Sequence, residues 1–160
     1  MKVEPQRAYG SNHCQPVELG NKAVYVSGDG ERVHDIGYQW TAEQWLSTDL
    51  SYASQHLTVD TEINELAWEH KPTKTLACLL ANGSVIMCLY DPDKEVVGWS
   101  KHDTDGFINS LARIEVSGRS YFLTLMNRGA TDGSLNALVS VEVLGNGYRS
   151  EEHTSELQSH

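Results

Sequence analysis

His102-Asp103-Thr104-Asp105-Gly106 sets alternate carboxylates ahead of a glycine, as in the opening of a loop whose oxygens surround a calcium ion. A loop of that kind closes with a bidentate glutamate six residues after the glycine, and Ala112 stands there. The segment therefore reads as a turn whose aspartates hydrogen-bond the local backbone. His13 adjoins Cys14, but neighbouring residues in an extended stretch point apart and no third group orients them, so a thiolate nucleophile is not expected. His34, His56, His70 and His102 share no HxH or HExxH spacing with one another or with His13. No GxSxG, Walker-type loop or GxGxxG occurs, and Gly28-Asp29-Gly30 lacks the third glycine and the helix that a phosphate cradle needs. No catalytic, cofactor-binding or metal-binding residue is assigned, and the expectation is a protein that is not an enzyme. Trp40, Trp45, Trp68 and Trp99 are the residues best suited to line a sugar or peptide pocket. Trp68 and Trp99 fall inside strand-like runs, where packing between sheets is the commoner use, and they are assigned to it.

The elements that would position these residues are strands. Ala23–Ser27 and Arg32–Tyr38 flank an Asp-Gly turn and form a first hairpin. Short runs rich in branched and aromatic residues follow at 63–70, 75–80, 84–90, 96–101, 107–116, 119–126 and 138–144, separated by Gly, Pro, Asn and Asp. Asn82-Gly83 is the sharpest turn signal and is assigned as a structural type I′ turn. Pairing across it puts Leu76, Cys78, Leu80, Val85, Met87 and Leu89 on one face, with Ala77, Leu79, Ile86, Cys88 and Tyr90 on the other. Both faces are apolar, which predicts a sheet covered on both sides, and Cys78 and Cys88 should point apart. Thr41-Ala-Glu-Gln44 has the form of a capping box, and Leu46, Leu50, Ala53 and Leu57 step at helical spacing, so a helical insert is expected at about 41–57.

The 160 residues carry 12 Lys+Arg against 22 Asp+Glu, a formal charge of −10, which disfavours tight binding to phosphate backbones. No apolar run is long enough for a membrane span, the N-terminus lacks a secretory pattern, and Cys14, Cys78 and Cys88 make neither a disulfide framework nor a CxxC knuckle. Residues 1–22, punctuated by proline and glycine, read as an extended arm, and 23–148 as the folded domain. Arg149–His160 has no core-forming period, and Arg149–Ser159 matches, codon for codon, the translation of a short-read sequencing adapter, so 149–160 is expected to be a disordered non-native tail on a gene fragment.

Internal similarity bears on architecture. Shifted by 45 residues, Ile63-Asn-Glu-Leu-Ala67 falls on Ile108-Asn-Ser-Leu-Ala112, and Leu80 and Asn82 fall on Leu125 and Asn127. That period lies in the range of four-stranded propeller blades, about 40 to 50 residues. The expected fold is all-β with a short helical insertion, an incomplete β-propeller-like repeat of antiparallel sheets, with a β-sandwich as the alternative.

Taken in order, Ala8-Tyr-Gly-Ser11, Gln15-Pro-Val17, Gly20, Val24-Tyr25, Asp49-Leu50, His56-Leu57, Leu66-Ala-Trp68, Pro72, Asn82-Gly83, Leu89-Tyr-Asp91, Glu95-Val-Val-Gly-Trp99, His102 and Thr104-Asp-Gly106 resemble the tail nozzle, or tail stabilisation, proteins of short-tailed bacteriophages. The resemblance spans about residues 9–127; Lys71 before Pro72, where an acidic residue is usual, and Asn82, where aspartate is common, depart from it. It implies a virion structural protein with a propeller-like domain, made in the host cytoplasm and assembled in the tail. There it would form a homo-oligomeric ring with the portal and other tail proteins, and genomic DNA would pass through without specific binding. No catalytic residue, cofactor or membrane contact is implied. The alternative is a propeller-type binding module of cellular origin recognising a peptide or carbohydrate.

Overall fold

A computed structural model describes residues 9–71, 73–128 and 138–144, and within them the chain is all-β. Sheet A is an antiparallel meander of β1 (Val17–Leu19), β2 (Lys22–Val26), β3 (Val33–Gln39) and β4 (Gln44–Asp49). Sheet B repeats the plan with β5 (Ile63–Glu69), β6 (Thr75–Leu80), β7 (Val85–Asp91) and β8 (Val96–His102). Sheet C is three-stranded, in the order β9 (Phe107–Val116), β10 (Arg119–Arg128), β11 (Leu138–Leu144). Among the described residues no helix is long and apolar enough to cross a membrane.

The sheets stack because their strands alternate in the right phase. Val24, Val26, Val33 and Leu50 of sheet A and its exit pack against Leu76, Cys78, Leu80, Ile86, Cys88 and Tyr90 of sheet B. The opposite face of sheet B, through Ala67, Ala77, Leu79, Val85 and Met87, packs against Ile108, Leu111, Phe122 and Met126 of sheet C. Every residue of β6 is consequently buried. Full burial of a Leu, Ile or Phe side chain contributes about 1.5–3 kcal/mol, so the middle sheet anchors both interfaces.

An ion pair within sheet A reaches sheet B through the Tyr90 hydroxyl. Asp35 lies on β3 in phase with Val33, and its carboxylate accepts hydrogen bonds from Lys22 Nζ at 2.6 Å, from the Thr48 backbone N–H at 2.9 Å and from the Tyr90 hydroxyl of β7. Burial pushes the Asp35 carboxyl up; the hydrogen bonds from Lys22 and Tyr90, with the lysine charge and Thr48, outweigh it and leave the group below the usual carboxylate range.

Three sequence expectations change. The helical insert at 41–57 is absent. Residues 44–49 instead form β4, paired with β3 from Gln39↔Gln44 to His34↔Asp49, and only Tyr52–Leu57 coil, as a 3-10 segment. The free edge of β3 offered a ladder of hydrogen bonds that a solvent-facing helix could not match, and Trp40–Glu43 became the hairpin turn, with Glu43 at φ 50°. The arm of residues 1–22 carries β1, and before it Ser11 bridges to Ser27; its residues 1–8, like the tail at 149–160, lie outside the described residues.

Asn82-Gly83 is not a type I′ turn. Leu80 and Ser84 close a three-residue loop in which Gly83 alone has positive φ (79°) and donates its N–H to the Leu80 carbonyl. A type I turn followed by a left-handed glycine is the three-residue hairpin, and it moves the register by one residue. Ile86, Cys88 and Tyr90 therefore join Leu76, Cys78 and Leu80 on the face toward sheet A, while Val85 and Met87 join Ala77 and Leu79 toward sheet C. Cys78 and Cys88 share a face, both as free thiols.

Candidate functional site

The first strands of the three sheets converge. β1 lies against β5 and β5 against β9, and each is the edge of its own sheet. Along this seam run two clefts of about 300 Å³ each, which share Leu66 and Leu111.

The repeated Ile-Asn-x-Leu-Ala motif shapes the seam. Ile63 pairs with Leu80 and Glu65 with Leu79, which leaves Asn64 as the extra residue of a bulge. In sheet C, Ile108 pairs with Met126 and Ser110 with Leu125, which leaves Asn109 in the same place. The two bulges are 45 residues apart, as the motif requires. Beyond them the second strands correspond at 46, not 45, because Leu80 matches Met126 across the bulged isoleucine; Leu79 accordingly corresponds to Leu125.

A bulge on an edge strand leaves backbone N–H groups without a ladder partner, and here the preceding element supplies one. The N–H of Leu111 donates to Glu65 Oε2 at 2.6 Å, and Ser110 Oγ donates to the same carboxylate at 3.1–3.2 Å. In sheet B, the Leu66 N–H acts on the Cys14 thiol and lowers its pKa against the effect of burial. The bulge of β9 is thus capped by a side chain from the first strand of the preceding sheet.

The three cysteines, Cys14 at the seam and Cys78 and Cys88 in the core, are held, not poised. Burial, then the Glu65 charge, pushes the Cys14 thiol up against the lowering effect of the Leu66 N–H. Burial raises Cys78 well above the ordinary thiol value and Cys88 to about 12. All three are therefore thiols at neutral pH, the unreactive form. Among the described residues no group of three His, Cys, Asp or Glu is placed to hold a metal ion. Besides strand edges and apolar side chains, the two clefts are lined by His13, Glu18, Asn64 and Arg113, with the Glu65 carboxylate engaged at the bulge.

The residues singled out from sequence lie apart. Gly83 is buried, accepts the Ile108 N–H on its carbonyl at 3.1 Å and sits under the Phe107 ring, so the β6–β7 turn docks onto β9. Asn82 Oδ1 accepts from Ser84 N and Oγ at 3.1 and 2.7 Å. Trp68 and Trp99 are half-buried against the core between sheets A and B, and Trp99 Nε1 donates to the Leu50 carbonyl at 2.8 Å. Trp40 and Trp45 instead form an exposed cluster with Tyr38 at the β3–β4 hairpin, ring centroids 4.8 and 5.6 Å from the tyrosine. In the His102–Gly106 turn Asp103 pairs with Lys101 at 2.9 Å, and the Gly106 N–H donates to the Thr104 carbonyl.

Sequence reasoning missed Glu65 and Asp35. Glu65 carried a signal, since it fills the variable position of the repeated motif and its counterpart Ser110 is its own hydrogen-bond partner. Asp35 carried one too, as a carboxylate in the inward phase of an apolar strand. Comparison of the chain with protein-family models and with curated protein sequences finds no match.

Proposed function

We propose that this chain works by assembly: it is a portion of a β-propeller-like domain in a tail nozzle protein of a short-tailed bacteriophage. In the virion tail it would join a ring of its own kind below the portal and form part of the conduit through which the genome leaves. The observation that carries the reading is the repeat. Consecutive antiparallel meanders stack face to face, with their first strands, β5 and β9 of them bulged, turned to a common seam, which is how propeller blades surround an axis. The residue order that resembles the nozzle family adds the identity, and the acidic excess of residues 1–148, 19 Asp+Glu against 11 Lys+Arg, fits a wall along which DNA slides without being gripped. The test is co-expression of the gene product with the portal and adjoining tail proteins of its genome. A ring bound beneath the portal in electron micrographs is expected. A protein that never joins portal or tail particles removes the nozzle reading.

A cellular binding module is the second reading, favoured by the exposed Tyr38, Trp40 and Trp45 cluster. It predicts tryptophan fluorescence quenching by a peptide or glycan, lost in Trp40→Ala.

A further inference from the structure

A cleft of about 280 Å³ opens at the end of sheet A where the β1–β2 and β3–β4 turns lie. Asn21, Lys22, Gly37, Gln39, Leu46 and Thr48 line it, with the buried Asp35 at its floor. Gly37 pairs with Lys22 on one side and with Leu46 on the other, and Asp35 pairs with Thr48, so these positions share the face of sheet A that meets sheet B. Tyr38 and Trp45 alternate with them and take the opposite face.

The cleft is built around one lysine. The Lys22 stem lies across Gly37, where a Cβ would come within 2.8 Å of Lys22 Cγ. That path carries Nζ to Asp35 Oδ2 at 2.6 Å and to the Tyr90 hydroxyl at 3.2 Å, which uses two of the three ammonium donors. The lysine side chain is 31% exposed and the Asp35 side chain 2%, so the cation is the accessible end of the pair. Around it the side chains of Asn21, Gln39 and Thr48 have no partner among the described residues. Each can both donate and accept a hydrogen bond.

We propose that this cleft holds one ring of a neutral sugar. Sugar hydroxyls also donate and accept at once, so they match Asn21, Gln39 and Thr48, and the third Lys22 donor would meet a hydroxyl or ring oxygen. Leu46 and the bare Gly37 backbone offer an apolar surface to the C–H side of the ring. A carboxylate fits worse, because it would set a second anion beside Asp35 with a single ammonium between them. At about 280 Å³ the cleft sits at the small end of ligand sites, about 300–1,000 Å³, which suits a single ring. The proposal rests on neither the tail reading nor the aromatic cluster of the second one.

The experiment is an NMR titration of the full, nitrogen-labelled chain with the methyl glycosides of glucose, galactose, mannose and N-acetylglucosamine, each to about 50 mM, which covers the millimolar affinity of a single ring. At least one should give saturable shifts centred on the side-chain amides of Asn21 and Gln39 and the backbone amides of Lys22, Gly37 and Thr48. Gln39→Ala combined with Thr48→Val should weaken that binding at least tenfold while circular dichroism stays native. Asn21→Ala, in the β1–β2 turn, should weaken it as well, and Val59→Ser, at a 56% exposed position in the turn before sheet B, should not. Absence of saturable shifts overturns the proposal. So does binding that the cleft variants leave intact, or tighter binding of acetate or of N-acetylglycine methylamide, which would assign the cleft to a carboxylate or to a peptide. Shifts centred on Tyr38, Trp40 and Trp45 would move the sugar to the exposed aromatic cluster, overturning the cleft while keeping the second reading.

Discussion

Gly83→Ala tests the docking of the β6–β7 turn onto sheet C. Gly83 sits at φ 79°, and a Cβ placed on it would lie 2.5 Å from Phe107 Cδ2 and 2.6 Å from Cγ. The left-handed conformation costs an L-residue about 1–2 kcal/mol. The clash with the ring adds about 1–3 kcal/mol of overpacking. The sum, about 2–5 kcal/mol, is a large share of a domain stability of about 5–15 kcal/mol. Gly118 provides the control, since its φ is 75° and an added Cβ would meet nothing within 4 Å. Gly118→Ala should therefore cost only the backbone part, about 1–2 kcal/mol. With roughly 4 °C of melting temperature per kcal/mol, the expected losses are about 8–20 °C for Gly83→Ala and about 4–8 °C for Gly118→Ala. Thermal melts followed by circular dichroism read both. In a Phe107→Ala background the extra cost at Gly83 should disappear. Equal losses at the two glycines, or an excess at Gly83 that survives removal of the ring, would refute the contact.

Other perturbations probe the sheet-to-sheet ties. Asp35→Asn removes a buried carboxylate that accepts from Lys22, Thr48 and Tyr90, and should cost about 1–3 kcal/mol at pH 7 in urea titrations, since hydrogen bonds to a charged acceptor are lost or weakened. Because the folded Asp35 carboxyl lies below its unfolded value of about 3.9, its contribution is present above that pH and is lost as pH falls through the folded value. Wild type and Asp35→Asn stabilities should therefore converge in acid; a constant gap would show that the charge is not the cause. Glu65→Ala strands the Leu111 N–H and should cost about 1–3 kcal/mol, whereas Glu65→Gln keeps an acceptor and should cost less than half as much, both by urea melts. Cys14, Cys78 and Cys88 should resist a thiol reagent at pH 8 in the native protein and react together once urea unfolds it; a thiol labelled within seconds under native conditions would contradict their burial.

How much of this was legible depended on the range of the signal. Strand boundaries from Ile63 onward came through because branched residues and Gly, Pro, Asn and Asp punctuation act locally. The double burial of β6 followed from its unbroken apolar run. Asn82-Gly83 located the turn, but the choice between a two- and a three-residue loop lay in the docking of Gly83 under Phe107, which no local rule contains. β4 was read as helix because Leu46, Leu50, Ala53 and Leu57 happen to fall at helical spacing, while the deciding factor, the unpaired edge of β3, is a tertiary fact. The Asn64 and Asn109 bulges were encoded in the repeated motif, yet only pairing reveals which residue is the extra one.

The cap on the β9 bulge runs in one direction. Glu65 of sheet B serves Leu111 of sheet C, so the first strand of sheet C is completed by a residue synthesised before it. A chain emerging from the ribosome meets that cap already in place. Damage has the same polarity. Unfolding sheet B strips Leu111 of its acceptor, whereas unfolding sheet C takes from sheet B no backbone hydrogen bond of this kind.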